Sequence, residues 1–321
     1  MKKMNEKIEL GVSLYSLTSE FVTEKMGLED CLRAVAEMGF KGIEIVAAQT
    51  VPEYPNPSDK WLFEFRDLLA KYDLKPVCYS AYIDNGLRPD RDLNHDEIVQ
   101  FTYNDMLYAK KAGFSMIRTQ HSISPQILEE MVPACEKLDI MLTIEMHHPH
   151  HPRVEVWEKY IELMNKYEHL GVVPDFSIFQ RKPHRLLVER LVRAGFREDK
   201  LNSVLEYHEK GIPCENAIGE LSLNAEEAQF TRDLYEKFNP TPLDDLKTLI
   251  PITPYIHGKF YILDNGEFDP CIPYDKILPM IQDLGYKGYI AAEYEGHHFD
   301  MSVDARQQLR YYASIFNKYI N

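Results

Sequence analysis

The chain has 321 residues, 45% of them hydrophobic and 27% charged, enough apolar mass for a substantial core and too much for global disorder. Its 51 acidic against 36 basic residues leave a net charge of −15, which argues against a nucleic acid or an anionic membrane as partner, since either needs a basic face. Cys31, Cys78, Cys135, Cys214 and Cys271 are scattered and never spaced C-x-x-C, so neither a disulfide framework nor a zinc knuckle is expected and a reducing compartment is the simplest expectation. The first ten residues lack the apolar stretch of a signal peptide, and no apolar run approaches the roughly 20 residues of a membrane helix. A cytoplasmic location is therefore expected.

In chain order, short β-rich apolar runs predict strands near 8–15, 42–47, 76–81, 115–120, 140–146, 171–175, 254–261 and 288–293. Helical patterns separate them, at 27–38, 58–72, 95–112, 124–138, 153–167 and 273–284, with a closing helix near 302–319. Three of the helix-to-strand junctions share one device: Met38-Gly39-Phe40, Ala112-Gly113-Phe114 and Leu284-Gly285-Tyr286. Glycine ends the helix in the left-handed conformation, and the aromatic packs back as the chain enters the next strand. Alternation of strand and helix carried to eight units predicts a (β/α)₈ barrel, one domain over 1–321. The rival, an open doubly wound sheet, would want a G-x-G-x-x-G after the first strand, and there is none.

The stretch 177–250 is too long for one crossover. Glu226, Leu234, Tyr235 and Phe238 sit at helical spacing within it, between Pro213 and the Pro240-Thr241-Pro242 break. It is expected to be a helical insertion between strands 6 and 7 that lies over the barrel and caps the site or meets another subunit.

Barrel enzymes place their chemistry where the strands end at their carboxyl side. Glu145, Asp175, His257 and Glu293 each stand at or near that end of an apolar run, on strands five to eight. One such residue alone is more often a salt-bridge partner than a ligand. Carboxylates that converge repel one another, and a divalent cation resolves the conflict. Oxygen donors with one imidazole suit manganese first, with magnesium or cobalt next.

Strand alternation puts Thr143, Glu145 and His147 on one side, so His147 is expected above Glu145 in the same cavity. An imidazole there suits general acid–base work, whereas His148, His150 and His151 read as a solvated loop. Arg118, Gln120 and His121, ending the fourth strand, are candidates to hold substrate, as are Tyr15 and Glu44. His297 and His298 are expected at the rim.

The Glu, Asp, His, Glu order on strands five to eight resembles the xylose isomerase-like barrels. Glu145-Met146-His147-His148-Pro149, Pro174-Asp175-Phe176-Ser177-Ile178-Phe179 and Glu293-Tyr294-Glu295-Gly296 further resemble the larger subunit of bacterial C-glycoside deglycosidases. The resemblance implies a metal on Glu145, Asp175, His257 and Glu293, and a sugar or 3-oxo-glycoside as substrate. It also implies a small β-rich partner subunit within an oligomer. The chemistry it implies is proton abstraction next to a carbonyl, with His147, Glu145 or Glu293 as base, ending in β-elimination of the C1 substituent. Two alternatives stand beside this carbon–carbon lyase: a keto-sugar isomerase or epimerase, and a non-catalytic sugar-binding barrel with salt-bridged, metal-free strand ends.

Overall fold

Eight parallel strands form one sheet in the computed structural model, which describes residues 7–120, 122–238, 241–264 and 266–320. They are β1 (Glu9–Ser13), β2 (Gly42–Val46), β3 (Lys75–Ser80), β4 (Met116–Thr119), β5 (Met141–Met146), β6 (Leu170–Pro174), β7 (Tyr255–Phe260) and β8 (Tyr289–Tyr294). Their order, β6-β5-β4-β3-β2-β1-β8-β7, is the sequential order of a (β/α)₈ barrel, and a parallel bridge from Asp175 to His257 brings the two ends together. Close packing supports that seam, because a Cβ on Gly171 would stand 2.9 Å from Pro254 Cδ.

Strands covered on both faces read as continuous apolar runs, and β2, β6 and β7 are buried at every position. The main core lies between the sheet and the surrounding helices. A second cluster joins Val77 and Met116 to Val173, Tyr255 and Ala291. Strands β3 and β7 lie across the barrel from one another, so these side chains meet through its interior. The predicted helix-ending glycines Gly39, Gly113 and Gly285 have φ of +92°, +90° and +77°, which only glycine adopts cheaply.

Among its described residues, the predicted insertion between β6 and β7 contains the α-helices Arg185–Arg193, Glu198–Glu209, Cys214–Glu220 and Ala225–Lys237 and a single turn at Leu246–Leu249. Val204, Leu234 and Phe238 give it a small apolar core of its own. No helix of the described residues is long and apolar enough to cross a membrane.

One buried acid outside the barrel interior makes stability depend on pH. Asp105, on the helix His95–Lys111, is 3% exposed and accepts a hydrogen bond from Tyr54 Oη at 3.2 Å. Burial pushes its carboxyl from 3.8 up to about 7, against the smaller downward pull of that hydrogen bond. Below pH 4 the group is protonated folded or unfolded and costs nothing. As pH rises from 4 to 7 the unfolded chain loses the proton first, and stability falls. At about 1.4 kcal/mol per tenfold in proton affinity, the loss reaches at most about 4 kcal/mol. Asp105→Asn should therefore be more stable than the wild type at pH 8, with the gap closing toward pH 4. Urea unfolding of both proteins at the two pH values checks this; a gap independent of pH would contradict it.

Candidate active site and metal centre

The carboxyl ends of the strands open into a cavity of about 410 Å³. Glu145 and Glu293 reach it from β5 and β8, and Asp175 from the residue after β6. His257, on β7, is fully buried beneath them. One ligand atom from each of these four lies within 4.8 Å of all the others, so the structure brings the predicted set together at the seam of the barrel.

The imidazole is oriented by what lies under it. His257 Nε2 meets Glu44 Oε2 at 2.8 Å, and the opposite nitrogen, Nδ1, faces Glu145 Oε1 at 2.9 Å and Glu293 Oε2 at 3.2 Å. A carboxylate behind one ring nitrogen holds the other toward a metal, the usual arrangement around a ligating histidine. Glu44 is held in turn by Ser13 Oγ at 3.0 Å and Arg118 Nη2 at 3.1 Å. It thus lies under His257 and does not line the cavity, where the sequence had suggested it for substrate hydroxyls.

Arg118 is placed in the same way. Its guanidinium is fully buried, donates to Glu44, Glu145 and Tyr82 Oη, and lies 5.0 Å from the Tyr82 ring centroid. Its charge is spent on fixing Glu145 from behind, and Arg118 is not among the residues that wall the cavity; the sequence had suggested it for substrate. Gln120 does line the cavity, 3.5 Å from Glu145 Oε2. His121 lies outside the described residues.

Two charged residues went unnoticed in the sequence. Lys259 Nζ lies 3.1 Å from Asp175 Oδ2, 2.9 Å from Glu293 Oε2 and 2.6 Å from Glu295 Oε1. The signal was the alternation that put His147 above Glu145: it equally puts Lys259 above His257 and Glu295 above Glu293.

The donor set fits a divalent cation on two grounds. Asp175 Oδ2 and Glu293 Oε2 are buried with ion pairs to Lys259 and, for Glu293, to His257, but with no well-formed hydrogen bond, so both keep lone pairs that an added cation could use. Four carboxyl groups, Glu44, Glu145, Asp175 and Glu293, are buried against Arg118 and Lys259 as the permanent cations, so a bound cation would offset the repulsion among them. Burial works against ionising Glu145, yet Arg118 and His257 hold its carboxyl at about 2. Burial pushes Asp175 up instead, and the neighbouring Glu293 and Glu145 reinforce this against Lys259.

His147 lines the cavity. Its Nδ1 lies 2.7 Å from the carbonyl oxygen of His148, which can only accept, so Nδ1 carries a proton and Nε2 is the acceptor of the neutral ring. The other histidines of this loop divide. His148 also lines the cavity and donates from Nε2 to the Lys237 carbonyl, tying the insertion to the end of β5. His151 Nδ1 accepts from the backbone of Arg153, and His150 packs edge-on against Trp157. The insertion supplies a further wall, with His184 stacked on Tyr261 at 3.9 Å between centroids, beside Leu187 and Phe238.

No protein-family model matches the sequence. The chain is 30% identical to the 3'-dehydrocarminate deglycosidase alpha subunit of a Microbacterium species, over 92% of this chain and 90% of that protein. It is likewise 30% identical to a C-glycoside deglycosidase alpha subunit of Arthrobacter globiformis, over 90% of this chain and 84% of that one. Its fold is similar to that of D-psicose 3-epimerase from Clostridium cellulolyticum H10, solved with D-tagatose, with a TM-score of 0.60, 11% identity and 98% and 99% of the two chains covered. Similarity of that extent along nearly the whole length of both relatives shows the lineage: this chain belongs to the family of C-glycoside deglycosidase alpha subunits.

Proposed function

We propose that this chain cleaves the C-glycosidic bond of 3-oxo-glucosides by removing the proton at C2 and expelling the C1 substituent. The observation that carries this is a buried four-residue cluster whose ligand atoms converge within 4.8 Å at the floor of the cavity, in a chain from this family. A divalent cation held by Glu145, Asp175, His257 and Glu293, manganese before magnesium or cobalt given the donor set, would supply Lewis-acid stabilisation of negative charge on the sugar's oxygens.

The rest falls to side chains. His147 takes the C2 proton at Nε2, with Glu145 or Glu293 as the alternative base. Arg118 and Glu44 keep Glu145 and His257 in place. Gln120 offers its amide to sugar hydroxyls. Because the relatives are named alpha subunits, we expect a second, small β-rich subunit in the working assembly. A cytoplasmic location accords with Cys31, Cys78, Cys214 and Cys271 being free thiols.

The test is incubation of the purified, metal-analysed protein, with and without the small subunit, with 3-oxo-C-glucosides and with free ketoses. Release of the aglycone together with about one divalent ion per chain, as a single four-ligand site requires, supports the proposal. Conversion of ketoses without aglycone release would place the chain functionally with the isomerases and epimerases. Binding of sugar without turnover or metal would make it a sugar-binding barrel.

A further inference from the structure

Breaking a carbon–carbon bond to an aglycone needs two proton transfers: one away from the sugar and one onto the departing carbon. His147 accounts for the first. Tyr15 follows β1, and β1 and β5 are four strands apart in the ring, so Tyr15 and His147 line the cavity from opposite walls. The Tyr15 hydroxyl lies 2.5 Å from His298 Nε2, and His298 is exposed and lies outside the cavity wall. The hydroxyl therefore joins the cavity to an imidazole in contact with bulk water.

The groups around Tyr15 suit a donor. Glu295, Lys259, Glu293 and Tyr82 are the ionisable residues that face it, and the rings of His297 and His298 pack against it at 5.5 and 5.9 Å between centroids. Lys259, which lines the cavity with Lys237, is held by three carboxylates and has no proton to spare without uncovering them. Burial, followed by the nearby Glu295, pushes the Tyr15 phenol above its ordinary range, so it keeps its proton until a strongly basic atom asks for it.

We propose that Tyr15 is the catalytic acid that protonates the departing aglycone carbon, and that His298 resupplies its proton from solvent. This rests on the lyase function proposed above. In the step, the C2 proton goes to His147 Nε2, and its electron pair forms the C1–C2 double bond. The C1–aglycone bond breaks, its pair leaving with the aglycone carbon, which takes the Tyr15 hydroxyl proton. The phenolate then takes a proton from His298, which recovers one from water, and His147 returns the C2 proton to solvent so that the charges balance. His298 acts only through Tyr15 and is a positioning residue.

The experiment follows aglycone release and deuterium uptake at C2 of unreacted 3-oxo-C-glucoside in D₂O, using the assembled protein. Tyr15→Phe should lower release by roughly 10²–10⁴, the usual loss for a general acid, while C2 still exchanges. His298→Gln, which keeps a hydrogen-bonding group beside Tyr15, should slow release by roughly tenfold and recover on addition of imidazole, as expected of a proton carrier at neutral pH. A merely structural hydrogen bond would not respond to imidazole. Wild-type release in Tyr15→Phe, loss of release and exchange together, or no imidazole rescue would each overturn the relay. A wild-type protein that neither releases aglycone nor exchanges C2 would overturn the lyase function itself, a different result from any of these.

Discussion

Replacing His257 with alanine is expected to empty the metal site and abolish turnover. His257 is the one nitrogen donor of the proposed set, and its ring is the shared partner of Glu44, Glu145 and Glu293. A Lewis acid contributes several kcal/mol to stabilising charge in a transition state, which at about 1.4 kcal/mol per tenfold is at least roughly a thousandfold in rate. Stability should fall as well. Against burial, Glu293 and Glu44 raise the imidazole's pKa well above its ordinary range, and removing one partner of a buried charge cluster costs about 3–5 kcal/mol. His257→Asn, which leaves a polar side chain under the cavity, should keep more of that stability and still lose the ion. Elemental analysis, circular dichroism and kinetics on one preparation of each variant check this. Wild-type turnover in a folded His257→Ala protein would show that the ligands are other residues.

Replacing His147 with alanine should have the opposite signature: metal retained, substrate bound, and kcat lowered by roughly 10²–10⁴, the usual cost of losing a general base. The structure separates His147 from the ligands in two ways. It lies beyond the end of β5, two residues past Glu145, and its Nδ1 is committed to the His148 carbonyl. It also lies outside the group whose donor atoms converge within 4.8 Å. Metal content and kinetics measured together decide the matter. Loss of the ion with the imidazole would make His147 a ligand, and unchanged turnover would move the base to Glu145 or Glu293.

Paired with Tyr15→Phe, these substitutions distinguish three roles by three patterns. A ligand loses metal and turnover. A base loses turnover and C2 exchange but keeps metal. An acid loses aglycone release while exchange persists. No two of the patterns coincide, so a misassigned residue would be recognised.

The amino-acid sequence by itself determined the architecture. Strand and helix periods, glycines at the helix ends and the overlong interval between strands 6 and 7 are all local signals, each read within a window of a few residues. The charged residues near the ends of β5 and β8 were legible for the same reason, because a carboxylate closing an apolar run is conspicuous along the chain. Family membership was legible in Glu145 to Pro149 and in Pro174 to Phe179, whose residue types and spacing carry it.

Only the tertiary structure decided what each polar group faces. Arg118 looks in sequence like a strand-end residue available to substrate, but closure of the barrel puts it between Glu44 and Glu145, 74 and 27 residues away along the chain. Glu44 became the orienting partner of a histidine 213 residues distant. The contact between Tyr15 and His298, 283 residues apart, exists because β1 and β8 are neighbours in a ring whose ends have come round. Charge pairing across a barrel is set by strand register and closure, which involve every strand at once. No local window of sequence contains them.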